Sequence, residues 1–95
     1  MSLPPETIET CIAVRNFGSR EIVLYLEPWA EEFPMAVQAE LVLVGRGPHK
    51  GNGFSVDYRE DGLVVSGWTG SVVQVFSQGE ELGDVRQRPP VPDFD

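Results

Sequence analysis

Histidine and cysteine, which bind copper and zinc and take part in catalytic pairs, are few in this chain. A blue-copper site needs two histidines and a cysteine, usually with an axial methionine, and a structural zinc site needs four ligands. The sequence has one histidine, His49, and one cysteine, Cys11. A Cys–His or Ser–His pair would also have to use His49, which lies in a glycine-rich segment. The sequence therefore predicts no metal site, no cofactor and no catalytic triad.

Carboxylates occur as three adjacent pairs, Glu31-Glu32, Glu60-Asp61 and Glu80-Glu81. General acid–base catalysis needs carboxylates that converge in a desolvated pocket, where their pKa values are pushed apart. All three pairs fall at predicted turns, where water solvates the charge. None has the Asp-x-Asp-x-Asp-Gly spacing of a calcium-binding loop. We therefore interpret the chain as non-enzymatic.

One segment, residues 45–53, concentrates positive charge in an otherwise acidic chain. It contains Arg46, His49 and Lys50, the only lysine, among several glycines. Glycine-rich backbone beside cations binds anions in other proteins, although the phosphate-loop pattern of Gly, four residues, then Gly-Lys-Ser/Thr is absent. The segment is either an anion-binding loop or a long connection between strands.

Composition limits the partners and the location. The chain has 95 residues and a formal net charge of -8, from 15 acidic and 7 basic residues. That balance repels nucleic acid and anionic membrane surfaces. No apolar run approaches the roughly 18 to 20 residues that cross a bilayer. The N-terminus lacks the features of a secretory signal, so we expect a cytoplasmic protein with a reduced cysteine.

Short strand-like segments, separated by turn residues, recur along the chain. Residues 7–15 alternate in polarity, and residues 21–27 do so until Pro28. Residues 37–44 are apolar on both sides in their second half, which predicts a central strand covered on both faces, or on one face by a partner. Residues 29–33 could form at most one helical turn. The pattern predicts an all-β fold: a small antiparallel β-sandwich, immunoglobulin-like or a related barrel, of six to seven short strands.

The Asp61-Gly62 pair predicts a two-residue hairpin turn, because both central positions of a type I′ turn need positive φ. That register places Tyr58 opposite Val65. It also puts Trp68 on a polar face of the sheet, beside three residues of the preceding strand, Ser55, Asp57 and Arg59. An aromatic ring on such a face could stack on a sugar or contact a protein partner.

A second hairpin is predicted at Gln78-Gly79. This turn would pair Ser77 with Glu80 and place Leu82 beside Val75.

The C-terminal segment, residues 85–95, differs in composition from residues 1–84, which we take as a single β domain. Its prolines exclude a central strand and favour an extended polyproline II conformation. The pattern Arg86-x-x-Pro89-x-x-Pro92 has the form of a PxxP ligand. We expect the tail to dock either on its own domain or on another chain.

The segment Leu24-Tyr25-Leu26-Glu27-Pro28-Trp29 resembles a set of small, uncharacterised, acidic bacterial proteins in which a strand ends in Leu-Glu-Pro-Trp. Gly67-Trp68 and Val73-Gln74-Val75-Phe76 are similar to the same set. The resemblance spans roughly residues 12–82. It implies a second β segment after the first, and no function carries over from it.

We expect a protein-interaction or accessory module that acts as a homodimer or with a protein partner. The alternative is a β-sandwich that binds a small ligand or carbohydrate through Trp68, Asp57, Arg59 and Ser55. In both cases the expected chemistry is binding.

Overall fold

The computed structural model describes residues 7–48 and 53–93 of the chain. These residues form eight β-strands and one short 3-10 helix, Val85–Gln87, and they confirm the predicted small all-β sandwich. The strands are β1 (Thr7–Arg15), β2 (Ile22–Glu27), β3 (Glu31–Met35), β4 (Glu40–Pro48), β5 (Ser55–Arg59), β6 (Gly62–Ser66), β7 (Val72–Ser77) and β8 (Glu80–Leu82).

The eight strands form two four-stranded sheets. Sheet A has the order β1-β4-β7-β8, and sheet B has the order β3-β2-β6-β5. Neighbouring strands are antiparallel except β2 and β6, which are parallel. The core lies between the sheets and consists of nine buried side chains: Leu24, Leu26, Phe33, Met35, Leu41, Leu43, Val65, Val73 and Val75.

β3 occupies a segment for which at most one helical turn was expected. The prediction of six to seven strands was one short because this strand was missed. Phe33 and Met35 are buried and Pro34 between them is exposed, so the segment alternates as a strand does. Pro34 cannot donate a ladder hydrogen bond, and β3 accommodates it because it lies at the edge of sheet B.

β4 is a central strand, as predicted, but it begins at Glu40 and runs on to Pro48. Val37 and Gln38 form a turn in which Gln38 has a positive φ of 70°. The inward residues of β4 are buried, whereas Val42 and Val44 on its outer face are only half-buried. The described residues therefore cover one face of β4 fully, and cover of its outer face by a partner stays a prediction.

The β5–β6 hairpin has a different register from the predicted one. Its two-residue turn is Glu60-Asp61, not Asp61-Gly62. Tyr58 consequently lies opposite Leu63, not Val65.

The glycine of the expected turn, Gly62, serves the pairing of β2 with β6. A Cβ atom on Gly62 would lie 1.8 Å from the carbonyl oxygen of Val23. The backbone amide of Val23 donates to the carbonyl of Asp61 at 2.9 Å. Glycine is needed here because two backbones approach closely, not because the turn requires positive φ.

The second hairpin has the predicted register. Ser77 pairs with Glu80, and Val75 pairs with Leu82. Gln78 and Gly79 both have positive φ, 51° and 81°, as a type I′ turn requires.

The C-terminal tail packs on its own domain. The backbone of Val91 exchanges hydrogen bonds with the loop before β7, donating to Ser71 at 3.0 Å and accepting from Gly70 at 2.8 Å. The indole of Trp29 donates to the carbonyl of Pro89 at 2.7 Å. Of the two docking alternatives left open by the sequence, the structure shows the intramolecular one.

Candidate interaction surface

Two edge strands, β1 of sheet A and β5 of sheet B, lie on the same side of the sandwich. We call this side the open flank and include in it the loop of residues 16–21. On the other side Arg88 bridges the sheets, since it contacts both Glu31 of β3 and the carbonyl of Leu82 of β8. Among residues 7–48 and 53–93 no hydrogen bond or ion pair joins β1 to β5.

A groove of about 440 Å³ lies on the open flank, between the loop after β1 and the β5–β6 hairpin. Two exposed aromatic rings line it, Phe17 at 74% exposure and Tyr58 at 91%. Ile22 and Leu63 line it as well and are half-buried. Monomeric proteins rarely leave aromatic rings this exposed together, and such a patch is typical of a contact surface.

Phe17 is held in place by its neighbour Asn16, which is buried. The Asn16 amide nitrogen donates to the carbonyls of Arg20 at 2.9 Å and Met35 at 3.1 Å. Its side-chain oxygen accepts from the backbone amide of Gly18 at 2.9 Å. These bonds define the course of the loop, which leaves the ring of Phe17 in solvent.

Tyr58 and Val56 point to the inner side of sheet B, because they lie opposite Leu63 and Val65 in the β5–β6 ladder. Val65 belongs to the core, yet Val56 is 51% exposed. The core cluster includes no residue of β5. β5 therefore extends beyond the core and presents apolar side chains at the open flank.

A polar cluster of Tyr25, Arg59 and Asp61 lies beside the groove, on the outer face of sheet B. The guanidinium carbon of Arg59 is 4.1 Å from the centre of the Tyr25 ring, and its Nε is 3.7 Å from Asp61 Oδ1. The Tyr25 hydroxyl donates to Asp61 Oδ2. This bond raises the pKa of Tyr25 above its usual value and lowers the pKa of Asp61.

A second cleft, of about 450 Å³, adjoins this cluster. It is lined by two guanidinium groups, three carboxylates and one aliphatic side chain: Arg20, Arg59, Glu21, Glu60, Asp61 and Ile22. The carboxylates outnumber the guanidinium groups, so the cleft offers no positive field to attract an anion.

Three of the four predicted surface residues, Ser55, Asp57 and Arg59, lie together on β5 and are exposed. Trp68 does not join them. It follows the end of β6, and its side chain is 4% exposed. The observed register differs from the predicted one by two residues, which leaves each residue on its predicted face. Trp68 is separated from the exposed face of β5 because β6 ends at Ser66 and the ring is buried.

Trp68 instead packs at the end of the core. Its ring meets Phe54 edge-on, with centroids 5.5 Å apart, and its Nε1 donates to the carbonyl of Pro48 at 2.8 Å. Gly45 of β4 makes room for it, since a Cβ there would lie 2.8 Å from both rings. A glycine inside an apolar strand signals such a close approach.

Of the predicted anion-binding residues, Arg46 belongs to β4 and not to a loop. Its Nε lies 2.6 Å from Glu9 Oε1, and its Nη1 donates to Gln74. His49 and Lys50 lie outside the described residues. Arg46 is therefore paired within sheet A, and the loop prediction is untested.

The described residues show neither a metal-binding cluster nor a membrane-spanning helix. No group of three or more His, Cys, Asp or Glu side chains there is placed to hold a metal ion. None of the helical structure in residues 7–48 and 53–93 has the length and apolar character needed to span a bilayer.

Sequence reasoning did not single out Phe17 or the pairing of Tyr25 with Asp61. Phe17 lies between the strands predicted at residues 7–15 and 21–27, and a Phe in such a connecting segment was the available signal. The Tyr25–Asp61 contact depends on the parallel pairing of β2 with β6, which no local pattern reveals.

Comparisons of the chain with protein-family models, with curated proteins and with solved structures found no match. The candidate surface therefore rests on the geometry of the chain itself.

Proposed function

We propose that the chain is a non-enzymatic protein-interaction module that binds another folded protein chain through the open flank. The observation that carries the proposal is the pair of exposed rings, Phe17 and Tyr58, on one groove between two edge strands. Interfaces are enriched in aromatic residues, and a Tyr or Phe anchor in a groove supplies much of the binding energy.

The polar surroundings of the groove support a reversible contact. Arg15 lies with its guanidinium carbon 5.6 Å from the Phe17 ring centre, and Arg59 and Glu60 also border the groove. Protein interfaces combine an apolar centre with a polar rim of this kind. The border of the groove carries both charge signs, with Arg15 and Arg59 against Glu60, so it suits a partner surface that also carries both signs.

The alternative, a ligand or carbohydrate binder, depended on Trp68 as a stacking platform. The ring of Trp68 is enclosed by Phe54 and the backbone of β4, which leaves no face for an outside ligand. The other three residues of the predicted ligand site, Ser55, Asp57 and Arg59, are polar groups on an exposed edge strand. Without Trp68 that site has no aromatic ring on which a sugar could stack. The interaction module is therefore the function that we propose.

The test is site-specific photo-cross-linking of the full-length chain in its native cells. A benzophenone amino acid replaces Tyr58, and the matched control replaces Glu80, an exposed residue of β8 on the other side of the sandwich. We expect one dominant protein adduct from position 58 and none of that mass from position 80. Absence of a protein adduct at position 58, or the same adduct from both positions, would overturn the proposal.

A further inference from the structure

We infer that the occupant of the open flank is a second copy of this chain, paired antiparallel along β1. This inference rests on the proposed function and specifies its partner. In the resulting dimer the two A sheets form one continuous sheet, with β1 of each copy at its centre.

Among the four edge strands of the described residues, β1 offers the longest edge for pairing. Its nine residues pair with β4 without a bulge, and they include neither proline nor lysine. The other edges are shorter or interrupted: β8 has three residues, β3 has five and contains Pro34, and β5 has five. A long regular edge with free N–H and C=O groups is a template for adding a strand.

Symmetry restricts how two copies of β1 can pair. Directly opposite residues share a face of the sheet, and a two-fold axis perpendicular to the sheet keeps each residue on its own face. Odd-numbered residues of one copy therefore lie opposite odd-numbered residues of the other, and even-numbered residues lie opposite even-numbered ones. Every allowed register therefore has a residue opposite its own copy at the axis.

Charge complementarity selects one of these registers. The outer face of β1 carries one carboxylate, Glu9, and one guanidinium, Arg15, placed symmetrically around Ile12. Within one copy Glu9 already pairs with Arg46 at 2.6 Å and Arg15 with Glu40 at 3.0 Å. With Ile12 at the axis, Glu9 of each copy lies opposite Arg15 of the other, so two further opposite-charge contacts join these pairs across the seam. With Cys11 at the axis, Glu9 faces Ala13 and the opposite-charge pairing is lost.

The same arrangement covers the exposed side chains of the flank. Inward residues of β1 such as Ile12 and Val14 are half-buried, and Tyr58 projects from β5 toward that side. A stable pair buries about 800 Å² on each partner. Contact of the Tyr58 and Phe17 rings with the second copy adds apolar area to that of the strand edge.

The first experiment measures the mass of the full chain by sedimentation from about 1 to 100 µM. We expect a dimer, twice the 10.5 kDa of one chain. Glu9→Arg and Arg15→Glu each replace both attractions by repulsions and should raise the dissociation constant roughly tenfold or more. The double variant should restore dimerisation, because the two charges are exchanged together.

The matched control is Glu80→Arg, which makes the same charge change as Glu9→Arg on the other side of the sandwich. It should leave the dimer unaffected. Thermal unfolding of each variant separates weakened pairing from a misfolded chain. A monomer at every concentration overturns the inference, and so does a double variant that dimerises no better than the single ones.

A disulfide reports the register. In the inferred dimer Cys11 lies opposite Ala13 of the second copy, so Ala13→Cys should give a covalent dimer linked between positions 11 and 13 on mild oxidation. A Cys11–Cys11 or a 13–13 linkage as the main product would contradict this register. The photo-cross-linking result stays separate: an adduct with a different protein overturns the second copy as occupant and retains the interaction function.

Discussion

Arg88 and Glu31 form an ion pair that joins the C-terminal tail to β3. The Arg88 side chain is completely enclosed, whereas that of Glu31 is 33% exposed. Nη2 of Arg88 donates to Glu31 Oε1 at 2.9 Å, and Nε donates to the other carboxylate oxygen. Nη1 donates to the carbonyl of Val73 at 3.1 Å, so the guanidinium also bonds to the backbone of β7.

The difference in burial predicts an asymmetric response to mutation. Glu31→Gln leaves a buried guanidinium without its counter-charge and should lower the free energy of unfolding by about 3 kcal/mol. Arg88→Met should lower it by less, about 1 to 2 kcal/mol, because the remaining carboxylate can hydrate and the Met stem fills most of the space. Urea denaturation at neutral pH measures both.

Glu32→Gln is the matched control, since Glu32 is exposed on the same strand. Its free energy of unfolding should stay within about 0.5 kcal/mol of the parent chain. Equal losses for Glu31→Gln and Arg88→Met would show that burial does not govern the energy of this pair.

A chain that ends at Gln87 should unfold at a much lower temperature. It loses the Arg88 contacts, the buried Val91 side chain and the two backbone bonds between Val91 and the β6–β7 loop. A loss of about 4 kcal/mol corresponds to a Tm lowered by roughly 15 °C or more in a domain of this size. Calorimetry measures the shift.

The point variant Val91→Ala keeps the tail and tests its apolar anchor. It removes two buried methyl groups and should cost about 1.5 kcal/mol. Val37→Ala, at a valine that is 44% exposed, is the control and should cost less than half as much. A truncated chain as stable as the full one would show that the tail contributes nothing to the domain.

Local periodicity was sufficient for the strands whose polarity alternates. β1 was predicted with its bounds because its side chains alternate, and β7–β8 with its register because the Gln78-Gly79 turn determines the pairing. β3 was missed because two glutamates and Pro34 mask the burial of Phe33 and Met35. That burial arises from β2 and the opposite sheet, so it is a tertiary effect.

The candidate surface was predictable only in part. Ser55, Asp57 and Arg59 were placed together because they alternate along one strand. Trp68 was misplaced because β6 ends at Ser66 and the ring packs against Phe54 and Gly45, which are distant in sequence. The exposure of Tyr58 depends on where the core ends, and the sequence of β5 does not contain that information.

Gly62→Ala should severely destabilise the domain. The new methyl group would lie 1.8 Å from the Val23 carbonyl oxygen, so β2 and β6 would have to separate. We expect a loss of more than about 3 kcal/mol in the free energy of unfolding, together with faster hydrogen exchange at the Val23 amide.

Ser66→Ala, at the other end of β6, is the control and should change the free energy of unfolding only slightly. A Gly62→Ala chain with unchanged exchange at Val23 would refute the close-approach argument.

The Tyr25–Asp61 hydrogen bond should appear in a pH titration. Because Asp61 accepts this bond as a carboxylate, its pKa is lowered, and its stabilising contribution is present above the usual Asp pKa and is lost as the pH falls through the lowered value. The pKa of Tyr25 is raised, so the contribution of its hydroxyl to the stability of the fold is present below the usual Tyr pKa near 10. That contribution is lost as the pH rises through the raised pKa.

Absorbance at about 295 nm, in a Tyr58→Phe background that leaves one tyrosine, follows the Tyr25 phenol. Asp61→Asn should lower the pKa of Tyr25, whereas Asp57→Asn should leave it unchanged. If Asp61→Asn has no effect on that titration, the hydrogen bond does not persist in solution.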